Sequence, residues 1–144
     1  MPVIQSTYST NIPAFKAGHV HDMTAADIVS RDVEPAGGIA FGLAVAQGAA
    51  SRGIIAFAGT GFLGITVRDR SVRIGELFSQ YESARVLRKG PIAVLASVTV
   101  AAGDLVYITS AGAFTNSSSG NTVIPNARWE EAVAAGAVGP IFIK

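Results

Sequence analysis

Apolar residues fall into a regular pattern only from Gly37 onward, where short runs rich in Val, Ile and Phe alternate with glycine-bearing breaks. Residues 39–47, 53–58 and 62–69 read as strands, because β-branched and aromatic side chains favour a pleated, half-buried backbone. The breaks between them, Gly48-Ala49-Ala50-Ser51 and Gly59-Thr60-Gly61, carry turn chemistry, so the three strands are expected side by side. Strands resume at 84–87 and 92–100, joined or kinked at Arg88-Lys89-Gly90-Pro91, since Pro91 has no N–H for a ladder and belongs at a turn, bulge or edge. Residues 105–109 and 113–115 form a hairpin around Ser110-Ala111-Gly112, the polar run 116–121 is a loop, and 127–134 with 138–143 close the sheet. About eight strands, with turn signals roughly every 8 to 12 residues, predict a mostly β fold: a jelly-roll-like β-sandwich or small barrel.

The first 36 residues lack a sustained period and contain Pro2, Pro13 and Pro35. They are read as an extended N-terminal arm (residues 1–36) leading into a β domain (37–144). A short helical turn could start at Asp22 or Thr24, and the stretch Glu76-Leu77-Phe78-Ser79-Gln80-Tyr81 fits helix and loop equally.

Composition narrows the function classes. The 144 residues suit one domain on the usual scale of about 100 to 200 residues each. Eleven Lys and Arg against ten Asp and Glu give a net charge of +1, which supplies no bulk attraction to nucleic acid or an anionic membrane. The absence of cysteine excludes disulfides, thiolate metal sites and cysteine nucleophiles. No apolar stretch is long enough to span a bilayer, and the first residues show no secretory pattern. Charged residues make up 15% of the chain, well under the roughly 25% of an ordinary soluble domain, and mean hydropathy is +0.42. Surface so poor in charge is expected to be covered by other protein. The 28 Val and Ile against six Leu reinforce the β reading.

Candidate chemistry is sparse. Gly59-Thr60-Gly61-Phe62-Leu63-Gly64 fits GxGxxG and follows an apolar strand. A dinucleotide site, however, needs a helix opening at the glycines to aim free N–H groups at the pyrophosphate, and Ile65-Thr66-Val67 is strand-like. His19-Val20-His21-Asp22 places two imidazoles on one side of an extended segment with a carboxylate adjacent, two or three ligands for a divalent metal, and the remaining ligands would have to be carboxylates or water or come from another copy. Glu130-Glu131 would point to opposite faces of a strand. No nucleophile elbow is present, and the expectation is a non-enzymatic protein with no cofactor and no metal. Two basic clusters remain, Arg68, Arg70 and Arg73, and Arg85, Arg88 and Lys89. Eight of the eleven cations are Arg, whose planar fork suits carboxylates at protein interfaces. Phosphate contact and a plain solvated face are the alternatives for both clusters.

Several ordered pieces resemble a known family: Phe41-Gly42-Leu43-Ala44-Val45; Phe62-Leu63-Gly64-Ile65-Thr66-Val67-Arg68; Val86-Leu87-Arg88-Lys89-Gly90-Pro91-Ile92-Ala93-Val94; Ala102-Gly103-Asp104-Leu105-Val106-Tyr107 with Gly112-Ala113-Phe114; and Ile124-Pro125-Asn126-Ala127-Arg128-Trp129. In this order and spacing, over roughly residues 8 to 143, they are similar to the structural cement, or capsid decoration, proteins of tailed bacteriophages. The resemblance implies a jelly-roll-like β domain with extended arms on the outer surface of an HK97-like shell. It would bridge neighbouring major capsid proteins as a symmetric oligomer, a homotrimer with a dimer as the alternative, located on the virion and in host cytoplasm during assembly. Phe41, Gly42, Phe62, Gly64, Gly90, Gly103 and Trp129 carry over as fold-defining positions, and no catalytic role transfers. Capsid or subunit contacts are expected from the arm residues Tyr8, Ile12 and Phe15 and from Arg68, Arg70, Arg73, Arg85, Arg88 and Lys89, without direct contact to nucleic acid or membrane. A second reading is an oligomeric β-sandwich on the virion that binds carbohydrate or a receptor, with Trp129, Tyr81 and Tyr107 as stacking residues.

Overall fold

One long strand organises the chain. The computed structural model describes residues 16–70 and 74–144, and among them the elements are β1 (Asp27–Val33), β2 (Ile39–Ala40), β3 (Ala44–Gln47), β4 (Gly53–Ala56), β5 (Phe62–Thr66), a 3-10 turn (Ile74–Glu76), β6 (Leu77–Phe78), β7 (Ser83–Leu95), β8 (Leu105–Ile108), β9 (Phe114–Thr115), β10 (Thr122–Trp129) and β11 (Val138–Ile143). The described residues are nearly all β and contain no α-helix.

The first half of β7 closes a five-stranded barrel. Strand order runs β1-β4-β3-β5-β7, and β1 also pairs with β7, from Asp27 opposite Lys89 to Asp32 opposite Ser83, so the ring has no open end. Four of its five seams are antiparallel. The fifth, β1 on β4, is parallel and has only two register pairs, Asp32 with Gly53 and Val33 with Ile54. The second half of β7, from Gly90 to Leu95, pairs with β11 and begins a second antiparallel sheet, β7-β11-β10-β8-β9. This sheet also curls back: the Ser97 N–H donates to the Phe114 carbonyl at 2.9 Å, and Ala96 bridges Phe114.

The cores follow from the same alternation. Val33, Val45, Ile54, Ala84 and Val86 form one buried cluster with Ile39 and Phe78 from the β2–β6 pair and Phe41, which follows β2. Phe41 and Phe78 meet edge to face at 5.0 Å between centroids. The opposite faces of β3 and β5, with Ala44, Ala46 and Ile65, pack on the inward side chains of the second sheet, among them Ile92, Val94, Ile108, Ile124, Trp129 and Ile141. Successive side chains of a strand point to opposite faces, so β3 and β5 serve both cores.

Several expectations need correction. The strand predicted over 39–47 is two strands, β2 and β3, parted at Phe41-Gly42-Leu43. Gly42 has φ 74°, and the segment around Gly18 packs so closely that a Cβ at Gly42 would meet the Ala17 Cβ at 2.8 Å. The join or kink predicted at 88–91 lies within a single strand: β7 runs through it, with a shift in the β1–β7 register between Leu87 and Lys89 and φ 120° at Gly90. The amide of Ala93 donates to the His19 carbonyl, away from β11. By the two-residue repeat the nitrogen of Pro91 faces the same way, and its missing donor costs the β7–β11 ladder nothing. The strand predicted over 127–134 starts earlier and ends at Trp129. No helical turn forms at Asp22 or Thr24, and the ambiguous 76–81 stretch is the end of the 3-10 turn followed by β6. The expected arm boundary at residue 36 does not match the barrel, since Asp27–Val33 is one of its five strands. Sequence periodicity missed it because its burial is graded, with only Val33 fully buried.

Candidate interaction surfaces

Residues 16–20 run beside the joint between the two sheets. The Gly18 N–H donates to the Ala93 carbonyl at 2.8 Å, the Ala93 N–H to the His19 carbonyl at 2.9 Å, and the Arg68 N–H to the Gly18 carbonyl at 2.7 Å. Arg68 tightens this attachment. Its Nε donates to the Ala17 carbonyl at 3.0 Å, its Nη1 lies 3.1 Å from Glu76 Oε1, and its guanidinium sits 5.1 Å from the centroid of the Phe41 ring. The hydrogen bond from Arg68, and then its charge, hold the Glu76 carboxyl below the ordinary carboxylate range, with Lys16 adding a smaller pull in the same direction. Arg68 is therefore largely engaged within the chain.

Beside it opens a cleft of about 600 Å³ with Val20 and Val67 among its walls and Lys16, His19, Asp69, Arg70 and Arg85 around it. The Val67 N–H donates to the Arg85 carbonyl at 2.8 Å, which brings the end of β5 and its following residues against β7 and so unites Arg68, Arg70 and Arg85 from both predicted clusters. Lys16 and His19 join them, residues that sequence spacing did not group with the arginines. Arg88 and Lys89 do not line this cleft. Arg88 pairs with Asp27 at 2.8 Å, with both side chains about two-fifths exposed, and Lys89 is exposed opposite Asp27 in the β1–β7 register. Tyr8, Ile12, Phe15 and Arg73 lie outside the described residues.

A smaller groove of about 400 Å³ lies at the second sheet, between Leu105, Asn126, Arg128, Glu130, Phe142 and Lys144. Arg128 donates from Nη1 to the Gly103 carbonyl at 2.9 Å. Glu130 receives His21 Nε2 at 3.3 Å, which turns that imidazole toward β10 and ties the residues preceding β1 to the second sheet. Among the described residues no three His, Asp or Glu side chains are grouped as metal ligands. Gly59-Thr60-Gly61 leads directly into β5, so no helix opens at these glycines to meet a phosphate.

The positions expected to define the fold have distinct surroundings. Trp129 is fully buried in the larger core and Phe41 is buried in the barrel cluster. Phe62 is partly buried, 6.2 Å from the Phe57 ring. Gly64 lies against the Leu87 backbone, where a side chain has no room, and Gly90 faces Ala26. Gly103 stands in open space with φ 89°, and its N–H donates to the Trp129 carbonyl at 2.7 Å. Burial removes Trp129 as a sugar-stacking residue. Tyr81, 82% exposed, precedes β7, whereas the partly buried Tyr107 belongs to β8, so the three aromatics build no common platform. Exposed apolar side chains do occur on both sheets, including Ile55, Leu95, Leu105 and Val123.

These features define a small β-barrel protein whose polar side chains mainly fasten its own segments and whose surface offers a basic cleft and scattered apolar contacts. The sequence profile of a family described as structural cement protein (E217 gp24/Pam3 gp6) matches residues 4–144, and the chain belongs to that family. Its fold is similar to that of a chain from the capsid of Myoviridae phage XM1, with a TM-score of 0.79 at 20% identity, covering 98% of this chain and 97% of the other. A more distant likeness is to the N base of head fiber gp8.5 in bacteriophage phi29, with a TM-score of 0.51 at 11% identity, covering 83% of this chain and 95% of the other. No curated protein matches the sequence.

Proposed function

We propose that this protein is a capsid cement protein that acts by binding rather than catalysis. It docks on the outer surface of a tailed-phage shell, bridges neighbouring major capsid proteins of an HK97-like lattice, and stabilises the assembled head. The observation that carries this reading is the family match over nearly the whole chain, and the low charge and exposed apolar side chains of the β domain agree with it. The unit that docks is a homotrimer, which places several identical contact surfaces over one group of capsid subunits. Contacts made together act multivalently, so that opening the shell requires many modest interfaces to part at once. A ligand that binds only the assembled lattice shifts the equilibrium toward that lattice by mass action. The contacts to adjacent subunits include Tyr8, Ile12 and Phe15.

Shells assembled without this protein and then saturated with it test the reading. Decorated shells should withstand higher temperature and chelator than bare ones, and particle images should place the added density outside the lattice across subunit seams. Equal resistance at full occupancy would overturn the stabilising role, and an internal position would overturn the docking geometry.

A further inference from the structure

We propose that the cleft between residues 16–20 and the ends of β5 and β7 is the receptor for an acidic, carboxylate-bearing segment of the shell protein. This rests on the capsid-docking reading and names the chemistry of the contact. Four permanent cations, Lys16, Arg68, Arg70 and Arg85, line the cleft with His19, against a single carboxylate, Asp69. Glu76 takes up Arg68. Among the described residues no ion pair engages Lys16, Arg70 or Arg85. Three positive charges thus face one opening partly walled by Val20 and Val67, where lower local polarity strengthens any pair that forms. At about 600 Å³ the cleft has room for several side chains of an extended segment. Two guanidinium groups offer the planar, two-pronged geometry that carboxylates fit.

The missing negative charge does not come from the chain itself. Residues 1–15 contain no Asp or Glu, and residues 71–73, Ser-Val-Arg, add another cation. A second copy is a poor donor too. Of its ten acids, Asp27, Glu76 and Glu130 are in ion pairs, while Glu34, Glu82 and Asp104 accept backbone N–H groups. Its only adjacent acids are Glu130 and Glu131, and Glu130 holds His21. The shell protein is the remaining partner of the docked assembly.

The test measures binding of the full chain to undecorated shells across a salt series. Wild-type affinity should fall as salt rises, because exposed charge pairs are screened. The variant Arg70→Glu/Arg85→Glu should bind at least about tenfold more weakly at low salt and with a flatter salt dependence. Arg70→Gln/Arg85→Gln should fall between the two. Arg52→Glu, a single reversal outside the cleft, should bind as wild type, whereas the single reversal Arg85→Glu should bind more weakly. Both cleft arginines are exposed, so unchanged thermal unfolding of the variants confirms that folding is intact. Carbodiimide treatment of decorated shells should join the Lys16 amine to an Asp or Glu of the shell protein. Wild-type binding that the double reversal leaves unchanged, an equal loss with Arg52→Glu, or a Lys16 link to another copy in place of the shell would each overturn the cleft assignment while leaving docking intact. Failure of the wild-type chain to bind shells would overturn the docking reading and the cleft with it.

Discussion

The Glu34 carboxylate lies over Gly53 and fills the space that a Cβ there would need. From this position it accepts the N–H groups of Ala49 and Ala50 at 3.0 and 2.8 Å, so that the residue following β1 clamps the turn between β3 and β4. The clamp stands at the parallel β1–β4 seam, which has only two register pairs, as few as the β5–β7 seam. Gln47 adds a second hold on the same turn, its Nε2 donating to the Ala50 carbonyl at 2.8 Å.

Glu34→Ala should therefore loosen the barrel at this seam. Removing a charged acceptor from two backbone donors costs about 1 to 3 kcal/mol, read as a lower denaturation midpoint. Amides of Ala49 and Ala50 should exchange faster while those of β11 keep their protection. Gly53→Ala should destabilise by displacing the same carboxylate, and the two changes together should cost less than their sum because each disrupts one shared contact.

Trp129 makes a second case. Its indole fills the larger core, and its Nε1 has no hydrogen-bond partner among the described residues. Trp129→Ala should cost about 3 to 5 kcal/mol through the cavity it leaves. Trp129→Phe, which deletes an N–H that donates to none of the described residues, should cost much less. Chemical denaturation of the two variants separates a packing role from a hydrogen-bonding one. A glycan array probed with folded Trp129→Phe should match the wild-type chain, since the ring never reaches the surface.

Strand positions were legible where one face is buried and the other more open, as at Leu105–Ile108, predicted as 105–109. They were illegible where a strand serves two cores or none. β7 buries both Val86 and Leu87 and then every residue from Gly90 to Val94, so its sequence lacks alternation and its Gly-Pro pair looks like a turn. β1 has the opposite difficulty, because its side chains are half-covered and it follows a proline-bearing, irregular stretch. The basic clusters were visible as local runs. Their union across β5 and β7 depends on pairing between segments about 15 to 20 residues apart, and the entry of Lys16 and His19 on contacts between segments about 50 to 70 residues apart, neither of which local spacing encodes.

Acid should reveal the role of Asp104. Its Oδ2 accepts the Asn116 amide at 2.8 Å and the Ala101 N–H at 2.9 Å, and these bonds, Asn116 first, lower its carboxyl below the ordinary range. A carboxyl lowered on folding stabilises the protein above its unfolded pKa and loses that contribution as pH falls through the folded value. Asp104→Asn should thus unfold at a lower temperature than wild type at neutral pH. The gap should close as pH drops below the carboxylate range, and thermal scans of both proteins across an acid series provide the check. A gap independent of pH would mean that the side chain acts through its shape and not its charge.

Arg68 predicts a more local effect. It binds the Ala17 carbonyl and Glu76 from a side chain that is about one-fifth exposed, beside the N–H that Arg68 itself donates to Gly18. Arg68→Ala removes the side-chain bonds but leaves the backbone ones, so the barrel should stay folded while residues 16–20 detach more often. A hydrogen bond from a charged donor is worth about 1.5 to 3 kcal/mol, which corresponds to roughly tenfold or greater acceleration of amide exchange at Gly18 and Ala93. Arg68→Lys keeps the charge but loses the fork that reaches Ala17 and Glu76 together, and it should recover only part of that protection. The Glu76 carboxyl offers an independent readout. Without the guanidinium its pKa should rise toward the ordinary carboxylate range in Arg68→Ala and stay lower in Arg68→Lys, as followed by its carboxyl chemical shift across a pH titration.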